Sequence, residues 1–340
     1  MTGVDEREVP GSTRYVAATA DCQPDHLPQV GGKAVGLGRL VRAGQRVPSS
    51  YVVTAAAYLE HIRSLGPDLD GSMPAALRGQ VEAAYVSLCE SRGAGDLAVA
   101  VRSSATIEDS TEASCAGQFR TFLGARGVAE VVAEVERCFM SAFEPHVAAY
   151  QSDRQISPEA EGVAVIVQEL VAARSSGVMF TRHPRTGDRS LIVIESSYGL
   201  GEAVVGGEVT PDLIEVNKIT GHVHVRVLGS KLTEHHLSAT GSAVEVLDVG
   251  EERRGAWSVD DDDIESLVGM AVDLERQLGK GLDIEWAIGR IPGAPGPDEL
   301  FALQVRPITV DPRCGAFQPT DARAHNPIEH VLGRLSGRGQ

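Results

Sequence analysis

The feature that most constrains the fold is a change in hydrophobic pattern near residue 160. Before this point, apolar residues recur at helical spacing. They predict a glycine turn and two helices with a proline-containing loop between them over 30–62, and further helices over 72–92 and 127–150. After it, short β-branched runs alternate with turn residues and predict strands. We therefore expect an α+β protein with a helical N-terminal lobe and a β-rich C-terminal lobe.

The same pattern predicts four segments of the chain. We expect a loose polar leader over 1–13, an N-terminal lobe over 14–169, a C-terminal lobe over 170–311 and a flexible tail over 312–340. Within the C-terminal lobe, the stretch DDDIESLVGMAVDLERQLGK predicts a helix, because acidic residues at its start complement the positive end of the helix dipole.

Composition narrows the classes of partner. The chain has a net charge of -16, which repels the phosphates of nucleic acids and anionic lipids, so we expect neither a nucleic acid nor a membrane as partner. The sequence contains no apolar run of about 18 residues and no signal-peptide core at its start, so we expect a cytoplasmic location. The five cysteines are widely spaced and form no CxxC pair, which predicts free thiols.

Two stretches are candidates for phosphate binding. Gly31 and Gly32 would let the backbone approach a ligand, and Lys33 would supply a point charge; the alternative is a turn that starts a helix. Arg102 ends an apolar strand and precedes three hydroxyl side chains, so it could present its guanidinium to a phosphate. The alternative interpretation of that stretch is a helix cap ahead of Glu108.

Two apolar strands near the C-terminus, LDIEWAIG and LFALQVRPITV, predict a hairpin. Asp283 and Glu285 are two residues apart and share a face, and Gln304 and Arg306 do the same on the partner strand. Such strands could hold Mg²⁺ with a carboxylate and an amide oxygen, and could meet phosphate with the arginine. A solvated strand face is the alternative, although acidic residues inside apolar strands argue against it.

Taken together, the motifs resemble one family. Their order is GGKAVGLGRL, VAVRSSATIEDSTEASCAGQFRTFL, VIVQELV, SGVMFTRHPRTG, SSYGLGEAVVGGEVTPD, GSK, LDIEWAIG and LQVRPIT. Over residues 28–311 the chain is similar to the nucleotide domain of phosphoenolpyruvate synthases, pyruvate phosphate dikinases and rifamycin phosphotransferases. The resemblance implies a two-lobed ATP-grasp fold that holds ATP and Mg²⁺ between its lobes.

The resemblance also implies roles at matching positions. The catalytic residues would be Lys33, Arg102 and Arg306, which would position the phosphates and neutralise their charge. Mg²⁺ would be held by Glu285 and Gln304. Gly117 would lie in a loop over the phosphates, and Gln168 and Leu170 would contact the adenine at the hinge. Glu202 would bind the ribose or order the site, and Asp283 would add a carboxylate from the hairpin.

The chain departs from the family in four ways. Cys115 stands where members often carry Phe, in the loop before Gly117, and the segment 109–112 lacks the common Leu-Pro. The phosphorylatable histidine of the family, in a motif like TSHAA, has no counterpart among the ten histidines, and the acceptor-binding barrel is missing.

Three functions follow from these observations. The first is a Mg-ATP-dependent phosphotransferase of the dikinase type, which converts ATP to AMP and supplies a phosphoryl group to a separate protein that carries the missing histidine and substrate domains. The second is a stand-alone small-molecule kinase or ligase in antibiotic modification or biosynthesis. The third is a non-catalytic nucleotide-binding module, which the presence of every expected charged residue disfavours.

Overall fold

A computed structural model describes residues 15–66, 71–105, 120–144, 162–238, 243–279 and 281–308. It confirms the α+β class, because helices cover two separate antiparallel sheets. The predicted leader and tail, and the loop residues Cys115 and Gly117, lie outside the described residues. Among the helices that the structure describes, none combines the length and apolarity that a membrane crossing requires.

The first sheet has the strand order β1-β2-β5-β3-β4. Its strands are β1 (Val16–Ala18), β2 (Ser50–Val53), β3 (Ala98–Ala105), β4 (Thr121–Arg126) and β5 (Val163–Glu169). The inner strands β3 and β5 are buried at nearly every position, because both faces of the sheet are covered. Burial on both faces explains why their sequences are continuous apolar runs rather than alternating ones.

Four helices pack on this sheet: α1 (Leu27–Arg42), α2 (Ala55–Ser64), α3 (Ala75–Ser91) and α4 (Val128–Met140). The helices α2, α3 and α4 share a core with Val99 and Val165 on one face. The helix α1 lies on the opposite face, in the core that contains Ile166 and also the second sheet. The helix α1 is thereby placed between the two sheets.

Three strands of the first sheet were not predicted: β1, which lies in a stretch for which we predicted no element, and the two strands β2 and β4. The strand β2 lies in the stretch that was predicted as a proline-containing loop, and β4 lies just ahead of the predicted helix over 127–150. Neither strand alternates in burial, so neither carries the period-two signal, and each forms by pairing with a longer inner strand. The predicted helix itself ends at Met140 and continues as the 3-10 turn Ser141–Phe143, while 145–150 lie outside the described residues.

The second sheet has the strand order β13-β12-β6-β7-β8-β9. Its strands are β6 (Ala172–Phe180), β7 (Leu191–Tyr198), β8 (Asp212–Asn217), β9 (Val223–Val227), β12 (Leu282–Arg290) and β13 (Glu299–Pro307). One face is apolar: Met179, Ile194 and Trp286 pack in a core with α1 and with α7 (Asp261–Leu278). The opposite face carries the polar residues of the predicted hairpin.

The helix α7 begins as the acidic stretch predicts. The Asp260 side chain accepts a hydrogen bond from the Asp263 amide at 2.9 Å, and the Asp263 side chain accepts one from the Asp260 amide at 3.0 Å. This reciprocal capping satisfies amides that the first turn leaves without helical partners. The aspartate run is therefore a helix start, as predicted.

The remaining described elements are short. A two-stranded ribbon is formed by β10 (Thr233–Leu237) and β11 (Val244–Asp248), and single-turn helices are formed by α5 (Glu202–Val205) and α6 (Glu251–Arg254). The ribbon touches the second sheet where Gly199 bridges to His235. The ribbon and α5 are thereby placed beside the polar face of the second sheet.

Candidate functional site

The structure confirms the predicted hairpin and shows its register. Asp283 pairs with Arg306 and Glu285 pairs with Gln304 across β12 and β13. The Arg306 Nε donates to Asp283 Oδ2 at 2.7 Å. All four side chains lie on the face opposite the apolar core, because Ile284 and Trp286 alternate with them into that core.

Arg102 links the first sheet to this hairpin. Its Nη2 donates to Glu285 Oε2 at 2.8 Å and to Gln304 Oε1 at 2.9 Å, although more than 180 residues separate Arg102 from either partner. Its Nη1 lies 3.4 Å from the Leu303 carbonyl oxygen. Leu303 is the extra residue of a β-bulge in β13, since Gln304 and Ala302 oppose consecutive residues of β12. The structure therefore brings together three residues that the sequence assigned to phosphate and metal.

Lys33 lies near Arg102 because it contacts the end of β3, the strand that carries Arg102. The Lys33 Nζ donates to the Ser103 carbonyl at 3.0 Å, and the Ala34 amide donates to Ser104 Oγ at 3.3 Å. Gly31 has a φ of 75°, and a Cβ there would lie 2.1 Å from the Ser104 carbonyl oxygen. The glycine turn is thus required by a close backbone approach, and it places the lysine one residue from the arginine.

Gln168 and Leu170 lie at the end of β5, where the chain passes to the second sheet. Gln168 is buried opposite Ala100, and its Nε2 lies 3.5 Å from the Pro48 carbonyl oxygen. The Leu170 amide donates to the Ala98 carbonyl at 3.0 Å. The Leu170 side chain belongs to a small apolar cluster, formed by residues of both sheets, that we call the hinge cluster: Ala98, Ala100, Leu170, Val171, Ala173, Leu200, Ala287, Ile291 and Phe301.

Glu202 begins α5, two residues after Leu200 of the hinge cluster. The helix α5 packs against Val178 of β6, and Val178 is the register partner of Glu285. The residues on either side of Glu202 therefore contact the hinge cluster and the strand that pairs with the hairpin. Burial raises the pKa of its carboxyl, His235 opposes that rise, and neighbouring Glu208 adds to it.

Two further carboxyl groups on the polar face have raised pKa values. Burial is the main cause for Asp283, with Arg306 acting against it and Glu285 adding to it. Glu195 of β7 pairs with Val178 and lies on the same face, and burial and the charge of Asp283 both raise its pKa. Clustered carboxylates in a partly dry site favour the arrival of a compensating cation.

Sequence reasoning missed an ion pair at the hinge, between the buried carboxylate of Glu169 and the 40% exposed side chain of Arg92. The Glu169 carboxylate receives Arg92 Nε at 2.5 Å and Arg92 Nη2 at 2.7 Å, and it also accepts the Ser49 amide at 2.8 Å. Glu169 lies between the two predicted adenine contacts, so the pair fixes their backbone. The two partners lie 77 residues apart, and the sequence carries no local signal that would join them.

The geometry suits a hard cation together with a phosphate chain. Glu285 and Gln304 offer one carboxylate and one amide oxygen, the kinds of ligand that Mg²⁺ accepts when phosphates and water supply the rest. Among the described residues, no group of three or more His, Cys, Asp and Glu side chains forms a self-sufficient metal centre. Such a site would need the nucleotide to complete the coordination of the metal.

Two antiparallel sheets, with an arginine from one that donates to a carboxylate and an amide oxygen on the other, fit an ATP-grasp nucleotide-binding domain. The family model described as pyruvate phosphate dikinase, AMP/ATP-binding domain, matches residues 69–325. The chain belongs to this family.

Curated relatives agree with that family. The chain is 34% identical to the phosphoenolpyruvate synthase of Aeropyrum pernix, over 96% of this chain and 46% of that protein. It is 34% identical to the probable phosphoenolpyruvate synthase of Methanocaldococcus jannaschii, over 88% of this chain and 27% of that protein. It is 36% identical to the prodigiosin synthesizing transferase PigC of Serratia marcescens, over 83% of this chain and 32% of that protein. The chain thus spans less than half the length of these three relatives.

Proposed function

We propose that this chain is a Mg-ATP-dependent phosphotransferase of the dikinase type, with lobes over 14–169 and 170–311. The observation that carries the proposal is the cluster of Arg102, Glu285 and Gln304 between the two sheets. It offers a cation for phosphate beside two oxygen ligands for Mg²⁺. Phosphoryl transfer needs positioning and neutralisation of charge more than covalent chemistry from the protein.

Each end of the nucleotide has a matching region. The adenine would lie at the hinge, against Leu170 and beside Gln168, and the phosphates would meet Lys33, Arg102 and Arg306. The ribose lies between base and phosphates in the covalent structure of ATP. The residues on either side of Glu202 contact the corresponding regions of the protein, so Glu202 would meet the ribose.

Mg²⁺ would be held by Glu285 and Gln304, and it would neutralise charge on the phosphates during transfer. Arg102 donates to both of these residues, so it would have to turn from them towards phosphate when Mg-ATP binds. Asp283 would keep Arg306 in place through the 2.7 Å contact between them.

The acceptor in this proposal is a histidine on a separate protein. Overall, ATP, the acceptor histidine and one water would give AMP, phosphohistidine and inorganic phosphate. Both phosphoanhydride bonds of ATP would break, with one phosphoryl group transferred to the acceptor nitrogen and the other to the water oxygen. The much greater length of the phosphoenolpyruvate synthase relatives supports an acceptor and substrate domain outside the residues of this chain.

The product of ATP turnover tests the proposal. The chain is incubated with Mg²⁺ and ATP, with and without the protein encoded by a neighbouring gene, and nucleotides are separated by chromatography while phosphohistidine is followed by its acid lability. AMP together with phosphohistidine is expected, with no turnover by Glu285→Gln. Production of ADP alone would refute the dikinase proposal.

A second candidate is a small-molecule kinase or ligase that needs no partner protein. The similarity to PigC, a relative named as a transferase that synthesises prodigiosin, favours this candidate. Turnover of ATP by the isolated chain with a small-molecule acceptor would distinguish it from the first. Binding of ATP without turnover under any condition would instead indicate a non-catalytic nucleotide module.

A further inference from the structure

His235 of β10 is a buried imidazole with no hydrogen bond. It is only 5% exposed, and neither ring nitrogen has a hydrogen-bond partner among the described residues. Its Nδ1 lies 3.8 Å from Glu202 Oε2, and its Nε2 lies 3.3 Å from Glu208 Oε2. Each ring nitrogen thus faces a carboxylate without an aligned hydrogen bond, an arrangement that costs stability in a buried group and requires an explanation.

The backbone of His235 is fixed against the turn that carries Glu202. The Leu200 amide donates to the His235 carbonyl at 2.8 Å. Gly199 has a φ of 73°, and a Cβ there would lie 2.3 Å from that same carbonyl oxygen. The turn and the strand are therefore in direct contact, which leaves no room for a side chain at Gly199.

The strand β10 is anchored on its other side as well. Glu234 receives Arg253 Nη2 at 2.8 Å, and His236 Nε2 lies 2.9 Å from Glu234 Oε2. His235 is consequently held between fixed neighbours, whereas the side chains of Glu202 and Glu208 are 42% and 57% exposed and have room to turn. A rotation of the Glu202 carboxylate would close the 3.8 Å gap to hydrogen-bonding distance.

We propose that His235 is a positioning residue that holds Glu202 against a ribose hydroxyl of the bound nucleotide. This inference rests on the proposed binding of ATP between the sheets. With Nδ1–H donating to one carboxylate oxygen, the other oxygen remains free to accept from the hydroxyl. A carboxylate held by a rigid neighbour loses less side-chain freedom when the nucleotide binds. Its hydrogen bond to the hydroxyl therefore adds more to the affinity for a ribonucleotide over a deoxyribonucleotide.

The proposal predicts selectivity between ribonucleotides and deoxyribonucleotides. Dissociation constants for ATP, 2′-deoxy-ATP and 3′-deoxy-ATP are measured with Mg²⁺ by isothermal titration calorimetry. A hydrogen bond to a charged group corresponds to about a 10-fold difference or more, so wild-type protein should bind ATP at least about 10-fold more tightly than one of the deoxy analogues. His235→Met should weaken ATP binding and leave that analogue unchanged, so that the ratio falls to about twofold.

Two amide variants separate the roles of the ring nitrogens. Asn places its amide nitrogen near the position of Nδ1, towards Glu202, whereas Gln places it near Nε2, towards Glu208. His235→Asn should restore most of the selectivity, and His235→Gln should not. His224→Met, at an exposed position of β9, is the control and should leave every affinity unchanged.

The outcomes distinguish this inference from the proposed function. Failure of wild-type protein to bind any of the three nucleotides refutes nucleotide binding itself. Binding of ATP without preference over either deoxy analogue refutes the role of His235. So does an equal loss of affinity for all three nucleotides in His235→Met, which would show only a packing role. Thermal unfolding of each variant confirms that the folded protein is being compared.

Discussion

Replacing Arg102 by methionine tests the site at its centre. The substitution removes a guanidinium but keeps an apolar side chain of similar reach. In the nucleotide-free protein it frees Glu285 and Gln304 from contacts of 2.8 Å and 2.9 Å. It also removes a cation that the proposed function assigns to the phosphates of ATP. Arg102→Met should therefore weaken the binding of Mg-ATP and strengthen the binding of Mg²⁺ alone.

The two effects differ in size. A charge-assisted hydrogen bond to phosphate contributes about 1.5–3 kcal/mol, so its loss weakens Mg-ATP binding by about 10- to 150-fold. Against this, the nucleotide no longer has to displace Arg102 from Glu285. The Arg102 and Glu285 side chains are only 13% and 18% exposed, but in the proposed complex Mg²⁺ would replace Arg102 at Glu285, so we expect this offset to be smaller than the loss. The net result should be a clear loss of ATP affinity, with tighter binding of Mg²⁺ alone.

Calorimetry with Mg-ATP, and separately with Mg²⁺, measures both effects. Arg276→Met is the matched control, because Arg276 is 73% exposed on α7 and contacts only Asp273 in the described ion pairs. That variant should bind like the wild type. An unchanged ATP affinity in Arg102→Met, with the protein folded, would refute the assignment of phosphate to this site.

Three further variants test charges elsewhere in the fold. Glu285→Gln should make ATP affinity nearly the same with Mg²⁺ and with a chelator, and calorimetry showing an intact metal dependence would contradict its role. Lys231→Met should destabilise the protein by about 3–5 kcal/mol in urea unfolding, because it strips the fully buried Asp212 of its cation; a cost like that of an exposed pair would show that the charge is not needed. Glu195→Gln should raise the unfolding temperature at pH 8, since a carboxyl with a raised folded pKa loses its contribution to stability as pH rises through that pKa. This gain should shrink as the pH falls to the ordinary range of glutamate, and a gain independent of pH would contradict the charge argument.

The hairpin shows what a sequence can reveal about a site. Alternation alone put Asp283 and Glu285 on one face of β12 and put Gln304 and Arg306 on one face of β13. The structure confirms the hairpin, and its register pairs Asp283 with Arg306 and Glu285 with Gln304, which alternation alone does not specify. The helix start before α7 was equally accessible, because its capping is completed within four residues.

Contacts between segments that are distant in the chain could not be predicted from the sequence in this way. Lys231 lies two residues after Gly229, in the segment between β9 and β10, and no contact was predicted for it from the sequence. In the fold it is fully buried and donates to Asp212 Oδ1 at 2.5 Å and to the Gly229 carbonyl at 3.1 Å. The pairing of Arg92 with Glu169, and the approach of His235 to Glu202, arise in the same way. Each depends on which strands become neighbours, and periodicity within a segment does not encode that order.

The ion pairs at the site suggest why the nucleotide and the metal should bind together. The chain as a whole is strongly acidic, and its site cations are already engaged, Arg102 with Glu285 and Arg306 with Asp283. Free ATP would have to draw Arg102 away and leave Glu285 as an uncompensated carboxylate facing phosphate oxygens. In the proposed complex Mg²⁺ would remove that cost, because Glu285 would exchange one cation for another while Arg102 would exchange a carboxylate for a phosphate. The number of opposite-charge contacts would then be preserved, so the proposed site would favour Mg-ATP over either component alone.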